Sequence, residues 1–304
     1  MRLGSDTLLA LCLGLVPLIG GAGQKTQAVT DDLGRSFPVS SPPRRIISLS
    51  PNVTEILYSL GLDGAIVGVT RFCDHPAEAL NKEKIGGVVD PSLEKIQALH
   101  PDLVIAFQGN PLRVLDRLRD LGLAVFTLRE GTRVDGVFQT IEKIGRVTGS
   151  SERAADLVST LRAGLDRTRG ALRNAGSNPR VFLSLHGSGL WTCGRESFLN
   201  DLLDKAGAAS IAAGYSRNWV LMGREAFIQQ DPEAIVILAR SDADFLKGRD
   251  WFRNEPVFKK IAALQNGRTY HLDENAASRF GPRLIDVTDR LARLLHPEAF
   301  GRRP

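Results

Sequence analysis

Long apolar runs are almost absent from these 304 residues. The one present, residues 8–19, is too short to cross a bilayer as a helix, which excludes a multi-pass membrane protein. Phosphate-cradling loops are missing as well: there is no G-x-x-x-x-G-K-[ST], and the pair Gly86-Gly87 lacks the helix start that a dinucleotide fingerprint needs. Nucleotide binding is therefore disfavoured. No G-x-S-x-G elbow occurs, and His75, His100, His186, His271 and His296 stand singly rather than at metal-ligand spacing. A hydrolase or metalloenzyme would need a convergent nucleophile and base, or His75, His186 and His271 brought to one point. The net charge of +5 is mild for this length, and no dense Lys/Arg tract is interleaved with aromatics, so no nucleic-acid partner is expected. Cysteine is scarce too. Apart from Cys12 in the apolar run there are only Cys73 and Cys193, which fall in different halves of the chain and are expected as free thiols.

What is present describes an exported globular protein. The composition, 43% hydrophobic and 24% charged, suits a chain long enough for two domains with real cores. Arg2, the apolar run and the small residues 20–23 have the order of a secretory signal. Cleavage is expected after Ala22 or Ala28, with Ala28 favoured. Cys12 has no small residues just before it, which speaks against a lipoprotein anchor. The expected divisions are a signal peptide over 1–28, an N-terminal α/β lobe over 29–149, a bridging helix over 150–175 and a C-terminal α/β lobe over 176–304.

The chain then alternates. Residues 29–39 read as a hairpin around Asp31-Asp32-Leu33-Gly34. Short buried strands follow over 45–49, 65–69, 103–107 and 123–128, separated by helices over 55–60, 93–100, 113–120 and 134–147. Strands over 181–185, 234–238 and 268–272 repeat the pattern, with helices over 197–206, 225–230, 257–264 and 282–295. Such alternation predicts parallel sheets covered on both faces. Between the halves, Ala154, Val158, Leu161, Leu165, Thr168 and Leu172 form one stripe along a predicted helix over 151–174, about 36 Å long.

A weak internal repeat supports two duplicated lobes rather than one large domain. LEKIQALHPDLVIAF from Leu93 aligns with REAFIQQDPEAIVIL from Arg224, placing Glu94 on Glu225 and Pro101 on Pro232. Each glutamate opens a helix, where the dipole alone would stabilise it by roughly 0.3–1 kcal/mol. At matching corners of a bilobed protein, the pair would also meet a two-fold partner symmetrically, with arginines as counterparts.

Only 6% of residues are aromatic, yet Phe72, Phe107, Trp191, Tyr215, Trp219 and Trp251 mostly fall in predicted loops or at carboxyl ends of strands, where open α/β sheets bind ligands. For Phe107 a core role is equally open. Trp191 and Trp219 lie among Gly, Ser and Arg, and suit a large, partly flat ligand.

These segments, with RIISLSPNVTEILYSLG from Arg45, IVGVTRFCDHP from Ile66, and RVFLSL and TCGRESFLNDLL beyond Pro179, resemble the periplasmic cobalamin-binding proteins of ABC importers, within the wider group that carries iron siderophores and haem. The resemblance spans about residues 44–295. It implies an α/β fold of two Rossmann-like lobes bridged by one long helix, a ligand cleft between them and little lobe movement. It further implies a non-enzymatic receptor with no cofactor or metal of its own, monomeric in solution and periplasmic. The ligand would be cobalamin or a related corrinoid, passed to a dimeric inner-membrane ABC permease. The implied ligand contacts are Phe72, Phe107, Trp191, Trp219, Asn275 and Arg279, with Cys73 and His75 on a loop lining the cleft, and the implied docking residues are Glu94 and Glu225. Asn275 stands where the family has an acidic residue, and a tryptophan expected around Val88 and Val89 is missing. A haem or ferric-siderophore receptor is the alternative.

Overall fold

The computed structural model of the chain describes residues 27–39, 41–173, 175–185 and 189–301. The expected signal segment therefore lies almost wholly outside the described residues. An N-terminal hairpin, β1 (Gln27–Thr30) and β2 (Ser36–Val39), closes on the expected turn, with the buried Asp31 carboxylate accepting from the Leu33 and Arg35 N–H groups at 2.9 and 2.8 Å. Because β1 contains Ala28, paired with Pro38, a cut after Ala28 would divide this strand, whereas one after Ala22 would leave it whole.

The N-terminal lobe follows with β3 (Ile46–Ser48), α1 (Pro51–Ser59), β4 (Ile66–Val69), α2 (Leu93–Ala98), β5 (Leu103–Phe107), α3 (Leu112–Asp120), β6 (Val125–Leu128) and α4 (Gly136–Val147). Its strands form a parallel sheet in the order β4-β3-β5-β6. Helix α1 begins four residues before the expected Glu55, because Ser50 and Pro51 take the N-cap and first helical positions. The period of two is visible in β5: Leu103, Ile105 and Phe107 enter one apolar cluster, Val104 and Ala106 another.

After the bridging helix α5 (Ser151–Leu172), the second lobe runs β7 (Arg180–Ser184), β8 (Trp191–Cys193), α6 (Phe198–Lys205), β9 (Ala209–Ser210), β10 (Trp219–Leu221), α7 (Arg224–Gln230), β11 (Ala234–Ala239), α8 (Asp242–Asn254), α9 (Ala262–Gln265), β12 (Thr269–Asp273), α10 (Glu274–Ser278) and α11 (Leu284–Leu295). Its parallel sheet has the order β12-β11-β7-β9, and β8 and β10 form a separate antiparallel ribbon. Two differences from the sequence reading appear here. Helix α8 fills a stretch to which the sequence pattern assigned no element, and it is capped by Ser241, whose hydroxyl accepts from the Asp244 N–H at 3.1 Å. The segment expected as a helix over 257–264 is a short 3₁₀ turn followed by α9.

Helix α5 does bridge the lobes. At 22 residues it is about 33 Å long. Its first half packs on α4, where Ala154 faces Gly145; its second half packs on α11, where Thr168 Oγ1 donates to Asp289 at 2.8 Å and Gly164 lies against Ile285. One buried cluster takes in Ile46, Ile105 and Phe126 from the first sheet and Val181, Leu183 and Val236 from the second, so the lobes share a continuous core.

The internal repeat is reproduced bond for bond. His100 and Asp231, each before the matched proline, are the described non-glycine residues with positive φ, at 42° and 41°. Asp102 accepts from the Arg45 N–H at 3.0 Å, and Glu233 accepts from the Arg180 N–H at 2.9 Å. The two guanidiniums donate back to carbonyls of the matching turns, Arg45 to Leu99 and His100, Arg180 to Gln230 and Asp231.

Candidate ligand cleft

The carboxyl ends of the two sheets meet. From the second lobe, the segment after β12 sends Arg279 to the first lobe, where it donates to Glu55 at 3.0 Å, to Asp74 at 2.5 Å and to the Phe72 carbonyl at 3.1 Å. Arg283 adds a two-pronged contact to Glu55 at 2.6 and 2.9 Å, and Asn275 Nδ2 donates to Asp74 at 3.2 Å. Glu55 is only 3% exposed, and its carboxylate is satisfied entirely by arginines of the other lobe. Burial works against ionisation of Asp74, but the hydrogen bond and charge of Arg279 outweigh it and hold the carboxyl below its usual range. This group of side chains is a clasp. Arg279 and Asn275, expected as ligand contacts, spend these bonds on joining the lobes.

Beside the clasp, Phe280 packs on Gly131 and Gly136 of the first lobe and edge-on to Phe198 of the second, with centroids 5.3 Å apart. Phe107 lies 6.3 Å from the Phe280 ring and is buried at 4% exposure, so it belongs to the core between the lobes rather than to an open surface.

Exposed apolar side chains flank this junction. In the β8/β10 ribbon, Trp191 pairs with Leu221 and Trp219 with Cys193, so the four residues share one face, while Thr192 and Val220 turn to the buried side. Cys193 is covered, but Trp191, Trp219 and Leu221 are 42%, 48% and 62% exposed. The neighbouring turn folds back over Gly194, where any Cβ would lie 2.2 Å from the Arg217 carbonyl oxygen, and it carries the exposed Tyr215. On the first lobe, Phe72 is exposed on the loop after β4. Arg71 lies over its ring at 5.0 Å and is held by Asp90 at 3.1 Å, and Val89 is exposed nearby in sequence to that aspartate. Large apolar side chains left in water at a lobe junction mark a binding surface.

The remaining candidates are dispersed. Cys73 is buried, not cleft-lining, with its Sγ 3.1 Å from Thr54 Oγ1 and 3.2 Å from Thr70 Oγ1. Burial pushes the Cys193 thiol up to about 12, and both cysteines are free. His75 lines a 260 Å³ cavity with Glu55, Tyr58 and Arg283. His271 contacts Asp242 at 3.0 Å and the Ala239 carbonyl at 3.1 Å while stacking on Phe245, and His186 lies outside the described residues. His296 is buried against the Gly207 carbonyl at 2.9 Å. Trp251 packs edge-on to Phe252 in the second lobe's core instead of lining a loop site.

Glu94 and Glu225 are each the second residue of a short helix, and both are exposed. The Glu94 carboxyl is held below its usual range by its own backbone N–H and by the Ser92 hydroxyl at 3.0 Å. Sequence reasoning missed Glu55, Asp74 and Arg283. Glu55 sits among Val53, Thr54, Ile56 and Leu57, and an acid inside such an apolar run was the signal available.

Residues 46–276 match the family model described as periplasmic binding protein. An uncharacterized ABC transporter substrate-binding lipoprotein of Bacillus subtilis, YvrC, is 30% identical over 92% of this chain and 90% of its own. The crystal structure of the periplasmic vitamin B12 binding protein BtuF of Vibrio cholerae superposes with a TM-score of 0.72 at 26% identity, covering 86% of this chain and 99% of that one. A periplasmic haem-binding protein from Pseudomonas aeruginosa gives a TM-score of 0.74 at 26% identity, over 84% and 93%. With two α/β lobes, a bridging helix and an apolar surface where the sheets' carboxyl ends meet, the chain belongs to the periplasmic binding protein family and is a binding protein, not an enzyme.

Proposed function

We propose that this chain is the exported receptor of an ABC importer, capturing cobalamin or a related corrinoid between its lobes. The observation that carries the reading is the pair of exposed apolar surfaces at the lobe junction, Trp191, Trp219 and Leu221 on one lobe and Phe72 on the other. A corrin is broad and partly flat, and aromatic faces of this kind gain most from such a ligand. The similarity to a vitamin B12 binding protein over 86% of the chain supports it. With Arg279 and Asn275 engaged in the clasp, affinity comes mainly from these apolar faces. Delivery rests on Glu94 and Glu225, exposed at equivalent corners and free to meet cations of a dimeric permease while the receptor acts as a monomer.

Isothermal titration with cyanocobalamin, cobinamide, haemin and a ferric hydroxamate siderophore tests the ligand. Corrinoid binding is expected, weakened at least about tenfold by Trp219→Ala, since truncating a central aromatic anchor costs about 2 kcal/mol or more. Heat with haemin alone, accompanied by a Soret band, would replace the corrinoid by haem, a reading that the similarity to a haem-binding protein favours.

A further inference from the structure

One carboxylate near the junction has no evident use in the fold. Glu130 stands two residues beyond the end of β6, at the carboxyl edge of the first lobe's sheet. Its backbone N–H donates to Gln108 Oε1, just past the end of β5, at 3.3 Å. The next residue, Gly131, is the one against which Phe280 of the second lobe packs, at 3.0 Å from where a Cβ would be. Glu130 is thus fixed at the line where the lobes meet, on the same edge as the apolar surfaces.

Its side chain is half-buried, yet among the described residues its carboxylate takes part in no hydrogen bond or ion pair. The fully buried acids are treated differently: Glu55 is met by two arginines and Asp31 by backbone N–H groups. The charges on the elements packed around Glu130 are committed elsewhere. Arg279 and Arg283 hold Glu55 and Asp74, and Arg133 pairs with Asp135 and approaches Asp201. Gln108 is neutral, and Arg129 is exposed. Burial alone pushes the Glu130 carboxyl up to about 7. A partly desolvated carboxylate that water still reaches and no protein group meets is placed to take its donor from a ligand.

We propose that Glu130 is a ligand-selecting acceptor: it takes a hydrogen bond from an N–H donor, an amide or ammonium, on the bound molecule and rejects a ligand presenting a carboxylate there. The proposal rests on the cleft being the ligand site. It goes further by naming the chemistry on the ligand's rim. A macrocycle bearing peripheral amides fits, and its carboxylate-bearing counterpart does not.

The test pairs macrocycles that differ only in this respect, cobyrinic acid heptaamide against cobyrinic acid and the diamide of haemin against haemin, titrated into the full chain and Glu130→Gln at pH 5.5 and 8.5. At pH 8.5 the wild-type protein should favour the amide form by about tenfold or more, since like charges in one site are strongly disfavoured. At pH 5.5, where Glu130 is protonated, that preference should shrink, and Glu130→Gln should hold one small preference at both pH values. Identical preferences and pH profiles for the two proteins would overturn the proposal. Failure of both corrinoids with success of the haemin pair would sink only the corrinoid reading; binding of none of the four would sink both. Thermal melting without ligand gives a second readout. The folded-state pKa is raised, so ionisation lowers stability as pH rises through about 7. At pH 8.5, Glu130→Gln should melt no lower than wild type, and a lower melting point would mean that the carboxylate has an internal partner, contradicting the proposal.

Discussion

At the residue scale, the clasp carries the sharpest energetic consequence. Glu55 is buried and faces Arg279 and Arg283 from the other lobe, so removing its carboxylate leaves Arg283 without its anion and Arg279 with Asp74 alone at a lobe interface. Breaking a buried pair from one side costs about 3–5 kcal/mol, and Glu55→Ala should show that loss as a lower urea midpoint. The pH dependence follows from Asp74, whose carboxyl is held below its usual range. A depressed folded-state pKa contributes stability above the unfolded value, near 4, and loses it as pH falls through the folded value. The clasp therefore holds at neutral pH and loosens only in acid. The pairing was not legible from the sequence: Glu55 stands out as an acid in an apolar run and Arg279 as an implied contact, but the two are separated by 224 positions and nothing local marks them as partners.

Among the elements, the bridging helix was legible and the ribbon beside it was not. The stripe from Ala154 to Leu172 identified α5 because one helix face packs on both lobes and so keeps its period throughout. Strands β8 and β10 have three residues each, too few for alternation to register, and Trp191 and Trp219 could only be placed in loops. Helix α8 escaped because its sequence, DADFLKGRDWFRN, buries little besides Gly248 and Phe252. The duplicated corners were half legible: the matched glutamates and prolines stood out, but the role of Arg45 and Arg180 in tying each corner emerges only from the fold.

Where α5 crosses α4 the helices touch through Gly145, and a Cβ there would sit 2.4 Å from that of Ala154. Gly145→Ala should therefore destabilise the protein by about 1–3 kcal/mol despite better helix propensity. Adding Ala154→Gly should recover much of the loss in urea unfolding. Wild-type stability in the single variant would show that the helices separate freely.

For the whole molecule, the decisive relation is between ligand capture and delivery. The apolar surfaces lie at the lobe junction, whereas Glu94 and Glu225 occupy duplicated corners at the starts of α2 and α7. A chain carrying Glu94→Ala and Glu225→Ala should keep its ligand affinity in titration and lose uptake in cells that depend on it. Normal uptake would remove the docking role. The global architecture was the most legible level of all, because alternating strands and helices repeated on either side of one amphipathic segment admit few other arrangements.

The continuous apolar core beneath the two sheets has a kinetic consequence. Lobes that share buried side chains cannot swing apart as a hinged pair without exposing them to water, so on the proposed function the empty protein should already have nearly the shape of the loaded one, with matching small-angle scattering curves for the two. Capture should then be a single encounter, its rate in stopped-flow measurements rising in proportion to ligand concentration without levelling off. Nor does closing energy accumulate in the loaded state to be returned on release. The work of prising the ligand out falls to whatever grips both lobes from outside.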